Sequence, residues 1–147
     1  MSTILFARAR CAADTAHAAS AADNGPALSV AVCDAAGRDI LVERADGAAW
    51  FTSEIARAKA RTAVLFGAET SALAALRERA PDIFAVAQSS ASQPLTTLGG
   101  GLPVRQDTTV IGAVAVSGGS AGQDARYAEI ARAAMTNDVQ SDRDGKR

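Results

Sequence analysis

The sequence has few cysteine, histidine, lysine and aromatic residues. It contains the cysteines Cys11 and Cys33, the single histidine His17 and the lysines Lys59 and Lys146, and only 4% of its 147 residues are aromatic. Two cysteines without a Cys-x-x-Cys spacing exclude a disulfide framework, so both are predicted to be small buried hydrophobes in a reducing compartment. One histidine excludes a multi-histidine zinc site.

Charge and hydropathy exclude two further classes of partner. The formal net charge is −1, so no basic field exists to attract nucleic acid or a membrane surface. No apolar run approaches the roughly 20 residues that span a bilayer. The N-terminal residues lack the basic and apolar regions of a signal peptide. We therefore expect a cytoplasmic protein that binds neither nucleic acid nor membranes.

The segment 99–119 shows the clearest structural pattern in the chain. It predicts a glycine-rich loop, a short strand, a turn and a long apolar strand. Residues 110–116 carry almost no polar side-chain atoms, which favours a central strand covered on both faces. Gly118 and Gly119 end this strand, and a helix is expected over 121–136.

The rest of the chain predicts a hairpin, helices and a further short strand, without β-α-β alternation. This order indicates an α+β fold, an antiparallel sheet with helices packed on it. The segment 82–94 is ambiguous, and 137–147 is predicted to be a disordered polar tail. Thr70 is the expected cap of the third helix. The predicted helices cover 3–22, 51–67 and 71–77, and the remaining predicted strands cover 27–33, 38–44 and 95–98.

The helix predicted over 51–67 has a recognisable apolar face. Lys59 is placed at the edge of that face, and Val64 points away from it with the arginines, which would suit a contact with another subunit. The side chains expected to face the core are Phe51, Ile55, Ala58, Thr62, Leu65 and Phe66.

The turn formed by Ser117, Gly118 and Gly119 is a candidate anion site. A strand that ends in small residues at a helix start leaves backbone N–H groups free, and the helix dipole favours a carboxylate or phosphate there. The alternative is that the glycines only permit a tight turn. The segment excludes a nucleophile elbow, because no histidine follows it.

His17 is the only candidate metal ligand that the sequence offers. One imidazole can serve as an axial ligand to haem iron, and Asp14, three residues earlier on the same helix face, is placed to orient it. The alternative is a helix histidine that faces solvent or another subunit.

Lys59, Arg44 and Asp46 are the other candidate polar residues. Lys59 lies at the edge of the apolar face, which leaves two alternatives. Its ammonium group is either buried in a cleft or reaches solvent at the end of the extended side chain. Arg44 and Asp46 flank a turn, where they either pair with each other or offer a cation and a carboxylate to a ligand.

Five segments of this chain resemble, in order and spacing, the GlcG/HbpS-like family. The resemblance implies a profilin-like antiparallel five-stranded sheet flanked by helices, in a single domain over 1–136. It also implies homo-oligomers, from dimers to octamers, and haem binding in several members. The segments that carry it are 30–37 (VAVCDAAG), 44–48 (RADGA), 56–63 (ARAKARTA), 100–104 (GGLPV) and 111–119 (IGAVAVSGG).

The resemblance also suggests roles for particular residues. In PduO-type members a histidine of the first helix ligates haem, and His17 lies in the matching region. The resemblance also implies binding roles for Arg44, Asp46, Lys59 and the turn of Ser117, Gly118 and Gly119.

Three hypotheses follow from the sequence. The leading one is a small-ligand-binding protein with haem as its ligand and His17 on the iron. The alternative is a cofactor-independent hydrolase, isomerase or tautomerase that acts on a small oxo- or carboxylic acid. In that case the turn after residue 116 would hold the acid, while Arg44, Asp46 and Lys59 bind it and move a proton. The third is a structural subunit of an assembly without a ligand.

Overall fold

The computed structural model describes residues 3–144, with side chains described for residues 3–136. Five helices and four strands make up this part of the chain. In chain order they are α1 (Phe6–Ala22), β1 (Ser29–Asp34), β2 (Asp39–Arg44), α2 (Thr52–Phe66), α3 (Thr70–Arg79), α4 (Pro81–Ser90), β3 (Gly101–Gln106), β4 (Thr109–Ser117) and α5 (Ala121–Asp144).

The sheet has four antiparallel strands in the order β2-β1-β4-β3. The prediction of five strands was therefore wrong, and the segment 95–98 is not a strand. Its backbone N–H groups bond to side chains instead of a neighbouring strand: that of Leu95 donates to Gln88 Oε1 and that of Thr96 to Thr62 Oγ1. A backbone whose donors are used in this way cannot extend the ladder.

Strand β4 lies in the middle of the sheet and is buried on both faces, as its sequence predicts. The larger side chains of β1 and β4, such as Val32 and Val114, face the core beneath α1 and α5. The smaller ones, such as Cys33 and Ala115, face α2. The alternation of valine with alanine or cysteine therefore makes one thick layer and one thin layer around the same sheet.

Helix α1 packs closely because the side chains on its inner face are methyl groups. Four alanines of this face have no exposed surface, and they lie in the same core cluster as Tyr127 and Met135 of α5. Cys11 of α1 is exposed, whereas Cys33 is buried, so the prediction of burial was wrong for Cys11. The alanines are Ala9, Ala12, Ala13 and Ala16.

Helix α2 is rotated relative to the prediction. Its buried face consists of small side chains together with Lys59 and Val64, whereas Phe51 and Leu65 are about half exposed. Val64 packs in the core cluster of β1 and β4, so it does not point outward. The sheet surface beneath α2 is lined by small residues, and the helix approaches it with alanines instead of its large apolar residues.

The remaining helices show two further differences from the predictions. Thr70 begins α3 but makes no side-chain cap; its hydroxyl instead accepts a hydrogen bond from the Gly101 N–H at 3.0 Å. The ambiguous segment contains α4, with Pro81 in its first turn, where proline is favoured. Helix α5 continues to Asp144, past the predicted end of the helix at residue 136. The prediction of a disordered polar tail over 137–147 is otherwise untested, because no side chain of that segment is described. None of the described helices combines the length and apolarity needed to cross a bilayer.

Candidate functional site

Two neighbouring cavities contain all the candidate site residues. The His17 cavity, of about 550 Å³, lies between α1 and the end of β2, and the Lys59 cavity, of about 450 Å³, lies between the start of α2 and the end of β4. Pro26 and Ala27 line both cavities. The predicted residues are divided between them: His17, Arg44 and Asp46 line the first, and Lys59, Ser117, Gly118 and Gly119 line the second.

His17 is held by a carboxylate, but not by the predicted one. Its Nε2 lies 3.0 Å from Oε1 of Glu43 on β2, and Arg10 donates to the other oxygen of Glu43 at 2.6 Å. Asp14 instead pairs with Arg10 at 3.5 Å and is mostly exposed. The orienting carboxylate thus comes from the neighbouring strand, 26 residues away in sequence, and helix spacing alone gave no signal of it.

The His17 cavity has walls of small side chains and a polar rim. Arg44 does not pair with Asp46 but donates to the Ala48 carbonyl at 2.8 Å, which closes the turn after β2. Among the described residues that line the cavity, the His17 imidazole is the only aromatic ring, and there is no phenylalanine, tyrosine or tryptophan. Its small lining residues are Ser20, Ala21, Gly25, Pro26, Ala27 and Ala45.

Lys59 forms a buried ion pair at the edge of the second cavity. Its Nζ donates to Oδ2 of Asp124 at 2.9 Å and to the Val116 carbonyl at 2.8 Å, and both charged side chains are almost completely buried. Burial lowers the pKa of Lys59, and the hydrogen bond and charge of Asp124 oppose this shift. The Lys59 ammonium therefore does not reach bulk water, which was the second of the two alternatives predicted for this residue.

The glycine-rich loop before β3 makes room for this lysine. Gly100 has a φ of +113°, and a Cβ there would lie 3.1 Å from Lys59 Nζ and 2.9 Å from Asp124 Cβ. A Cβ on Gly101 would lie 2.6 Å from the Lys59 carbonyl oxygen. The loop thus packs against α2 and the Lys59 ammonium, an arrangement that only residues without a side chain allow.

Side chains of this chain bond the N–H groups of the turn after β4. Asp124 Oδ1 accepts from Gly119 N–H at 2.9 Å, and Gln123 Oε1 accepts from Ser120 N–H at 2.9 Å. The Ser120 hydroxyl in turn accepts from Gln123 N–H at 3.2 Å, which completes a reciprocal cap of α5. The carboxylate that the helix start favours is therefore supplied by Asp124.

Sequence reasoning missed Glu43 and Asp124 as site residues. The signal for Asp124 was present: an acidic residue in the first turn of a helix, after a Gly-Gly-Ser turn, in a chain with one lysine outside the tail. Glu43 gave no such signal. Its partner His17 is brought to it only by the packing of α1 beside β2.

Comparisons with known proteins agree with this architecture. A protein of Citrobacter freundii, described as an uncharacterized 15.0 kDa protein in the dhaT-dhaS intergenic region, is 33% identical over 131 residues, which cover 89% of this chain and 91% of that protein. The crystal structure of HbpS has a TM-score of 0.80 at 31% identity and covers 90% of both chains. A structure described as a PduOC:heme complex has a TM-score of 0.81 at 27% identity and covers 90% of this chain and 95% of that chain.

The match to a protein family spans nearly the whole described chain. The family model described as haem degrading protein HbpS-like matches residues 6–134, from the start of α1 into α5. This range includes both cavities and every strand of the sheet. The chain therefore belongs to the HbpS-like family.

Proposed function

We propose that this chain binds haem in the His17 cavity, with the His17 imidazole as the axial ligand of the iron. The observation that carries the proposal is an imidazole fixed by Glu43 in the wall of a cavity with small side chains. The similarity to HbpS and to the PduOC structure with heme supports it.

The donors of the cavity fit a haem. When Nε2 carries the proton and donates to Glu43, Nδ1 keeps a free lone pair; ligation through Nε2 instead requires the bond to Glu43 to open. A carboxylate bonded to a ligating histidine fixes its ring and raises its basicity.

The other residues that line the cavity fit the porphyrin ring and the propionates of haem. Walls of alanine, glycine and proline residues leave space for a flat ring, and the guanidinium of Arg44, which also lines the cavity, would pair with a propionate carboxylate. Bound haem iron supplies redox chemistry or the binding of small gaseous ligands. The cytoplasmic compartment stays a prediction from the cysteines and the N-terminal residues, and the homo-oligomer, from dimer to octamer, stays a prediction from the resemblance.

A hemin titration of the purified protein tests the proposal. We expect a saturable shift of the Soret band in the wild type, and His17→Ala should lose the shift or weaken binding at least about tenfold, since loss of a ligating nitrogen removes its bond to iron. Glu43→Gln should weaken binding about tenfold or more, because the orienting carboxylate is lost.

Asp14→Asn is the matched control. It changes a carboxylate of the same helix, one turn from His17, that does not line the cavity, so its titration should match the wild type. The proposal fails if the wild type gives no saturable shift, or if His17→Ala binds hemin as tightly as the wild type does.

A further inference from the structure

The Lys59 cavity is lined by both polar and apolar side chains. Ser117 and Lys59 are among the polar ones, and Phe51, Ile55 and Leu98 are the large apolar ones. This cavity shares only Pro26 and Ala27 with the one proposed for haem, and the inference below does not depend on that proposal.

Ser117 places an unused hydroxyl in this cavity. The residue is only 4% exposed and lies on the face of β4 that packs under α2, like Ala115. Its neighbour in the ladder, Ser29, has its hydroxyl bonded to Thr52 Oγ1 at 2.8 Å. The Ser117 hydroxyl has no such bond to any residue that the structure describes. The oxygen lines the cavity and keeps some accessible surface there, so it can donate a hydrogen bond to a ligand atom.

Lys59 offers a second donor to the same space. An ammonium has three N–H donors, and within the described part of the chain two of them are used, by Val116 and Asp124. Its charge is balanced by Asp124, and no other cation belongs to the described lining of the cavity. A second anion would therefore meet the Asp124 carboxylate without a free positive charge to compensate it. A neutral acceptor oxygen avoids this repulsion.

We propose that the Lys59 cavity binds a small neutral carbonyl compound with an apolar body. The carbonyl oxygen accepts hydrogen bonds from the Ser117 hydroxyl and from the third N–H of Lys59. The apolar body packs against Phe51, Ile55 and Leu98, a combination of a few polar groups and an apolar wall that is typical of small-molecule sites.

Titration of hemin-free protein with 2-butanone tests this site. The chemical shifts of the backbone amide protons and nitrogens are measured by NMR at each step. We expect saturable shifts at Gly99, Gly118 and Gly119, which line the cavity. Ser117→Ala should weaken binding about fivefold to tenfold, the change expected for one lost hydrogen bond. Ala49→Leu, at the exposed rim, should weaken it as well by filling the entrance.

Two control variants separate this site from its surroundings. Ser29→Ala removes a buried hydroxyl of the next strand that is already bonded to Thr52 and does not line the cavity, so it should bind 2-butanone as the wild type does. His17→Ala should also bind 2-butanone normally, whatever hemin does.

Butanoate, an anion of matched size, tests the class of the ligand. It should bind more weakly than 2-butanone. The proposal is overturned if 2-butanone gives no saturable shift, if Ser117→Ala leaves its affinity unchanged, or if butanoate binds as tightly as the ketone.

Discussion

Cys33 shows how burial alone changes the chemistry of a side chain. It lies on β1 in the thin layer beneath α2, next to Ala113 and Ala115. Burial raises the pKa of its thiol from 9.0 to about 12, because the thiolate would lose its water there. The exposed Cys11 has no comparable environment. At the scale of the residue, the position of Cys33 in the core therefore makes its thiol a weaker acid than an ordinary thiol.

The raised pKa of Cys33 predicts a loss of stability at alkaline pH. Above about pH 9 the unfolded chain releases the thiol proton while the folded chain keeps it, so the free energy of unfolding falls as the pH rises. The stability difference between wild type and Cys33→Ala should fall by about 1.4 kcal/mol between about pH 8 and about pH 10. Urea unfolding at a series of pH values measures it.

Comparison with Cys11→Ala isolates the effect of burial in that experiment. This variant removes an exposed thiol and leaves Cys33 in place, so the alkaline loss of stability assigned to Cys33 should persist in it. A difference between wild type and Cys33→Ala that does not change with pH would contradict a buried, protonated thiol at this position.

At the scale of the element, two glycines have opposite roles. Gly101 begins β3 where the strand passes α2, and a Cβ there would lie 2.6 Å from the Lys59 carbonyl oxygen and 2.7 Å from Thr70 Cγ2. Gly122 lies in the first turn of α5, and a Cβ there would meet no atom within 4 Å. The close approach of β3 to α2 requires the first glycine, whereas packing does not require the second.

Alanine substitutions at the two positions should change stability in opposite directions. Gly101→Ala should lower the free energy of unfolding by about 1–3 kcal/mol, because backbone and side chain must move apart. Gly122→Ala should raise it by about 0.5–1 kcal/mol through helix propensity. Urea unfolding at neutral pH measures both. The assigned packing of β3 on α2 would be wrong if Gly101→Ala were as stable as the wild type.

At the scale of the whole molecule, the ion pair of Lys59 and Asp124 connects the two sides of the sheet. Lys59 belongs to α2, which covers the face of the sheet lined by small side chains. Asp124 belongs to α5, which packs on the opposite face. The pair closes around the end of β4, where Gly119 N–H also bonds to Asp124. Removing one charge would leave the other buried without an opposite charge, which is strongly unfavourable.

Lys59→Met should therefore destabilise the fold by about 3–5 kcal/mol. The double variant Lys59→Met with Asp124→Asn should recover at least about 2 kcal/mol of this loss, since no charge stays buried alone and the asparagine oxygen can still accept from Gly119. Chemical denaturation of the single and double variants measures the coupling.

A second cation of the same helix serves as the control for this cycle. Arg61→Met changes a partly exposed side chain and should alter stability by no more than about 0.5 kcal/mol. Equal stability losses in Lys59→Met and in the double variant would show that the two charges do not compensate each other.

The amino-acid sequence by itself determined the central strand, the hairpin of β1 and β2, the helices α1 and α2 and the family. Each of these depends on local patterns: alternating residues, a positive φ at Gly37, an alanine-rich run without glycine or proline. Such patterns act between residues close in sequence, so they can be recognised without coordinates.

Tertiary structure alone decided which face of α2 is buried, that residues 95–98 form no strand, and that Glu43 and Asp124 are the partners of His17 and Lys59. These outcomes depend on groups from separate elements that meet only when the layers pack. Their energies come from burial and from pairing between residues far apart in sequence, and no local period of the sequence records either.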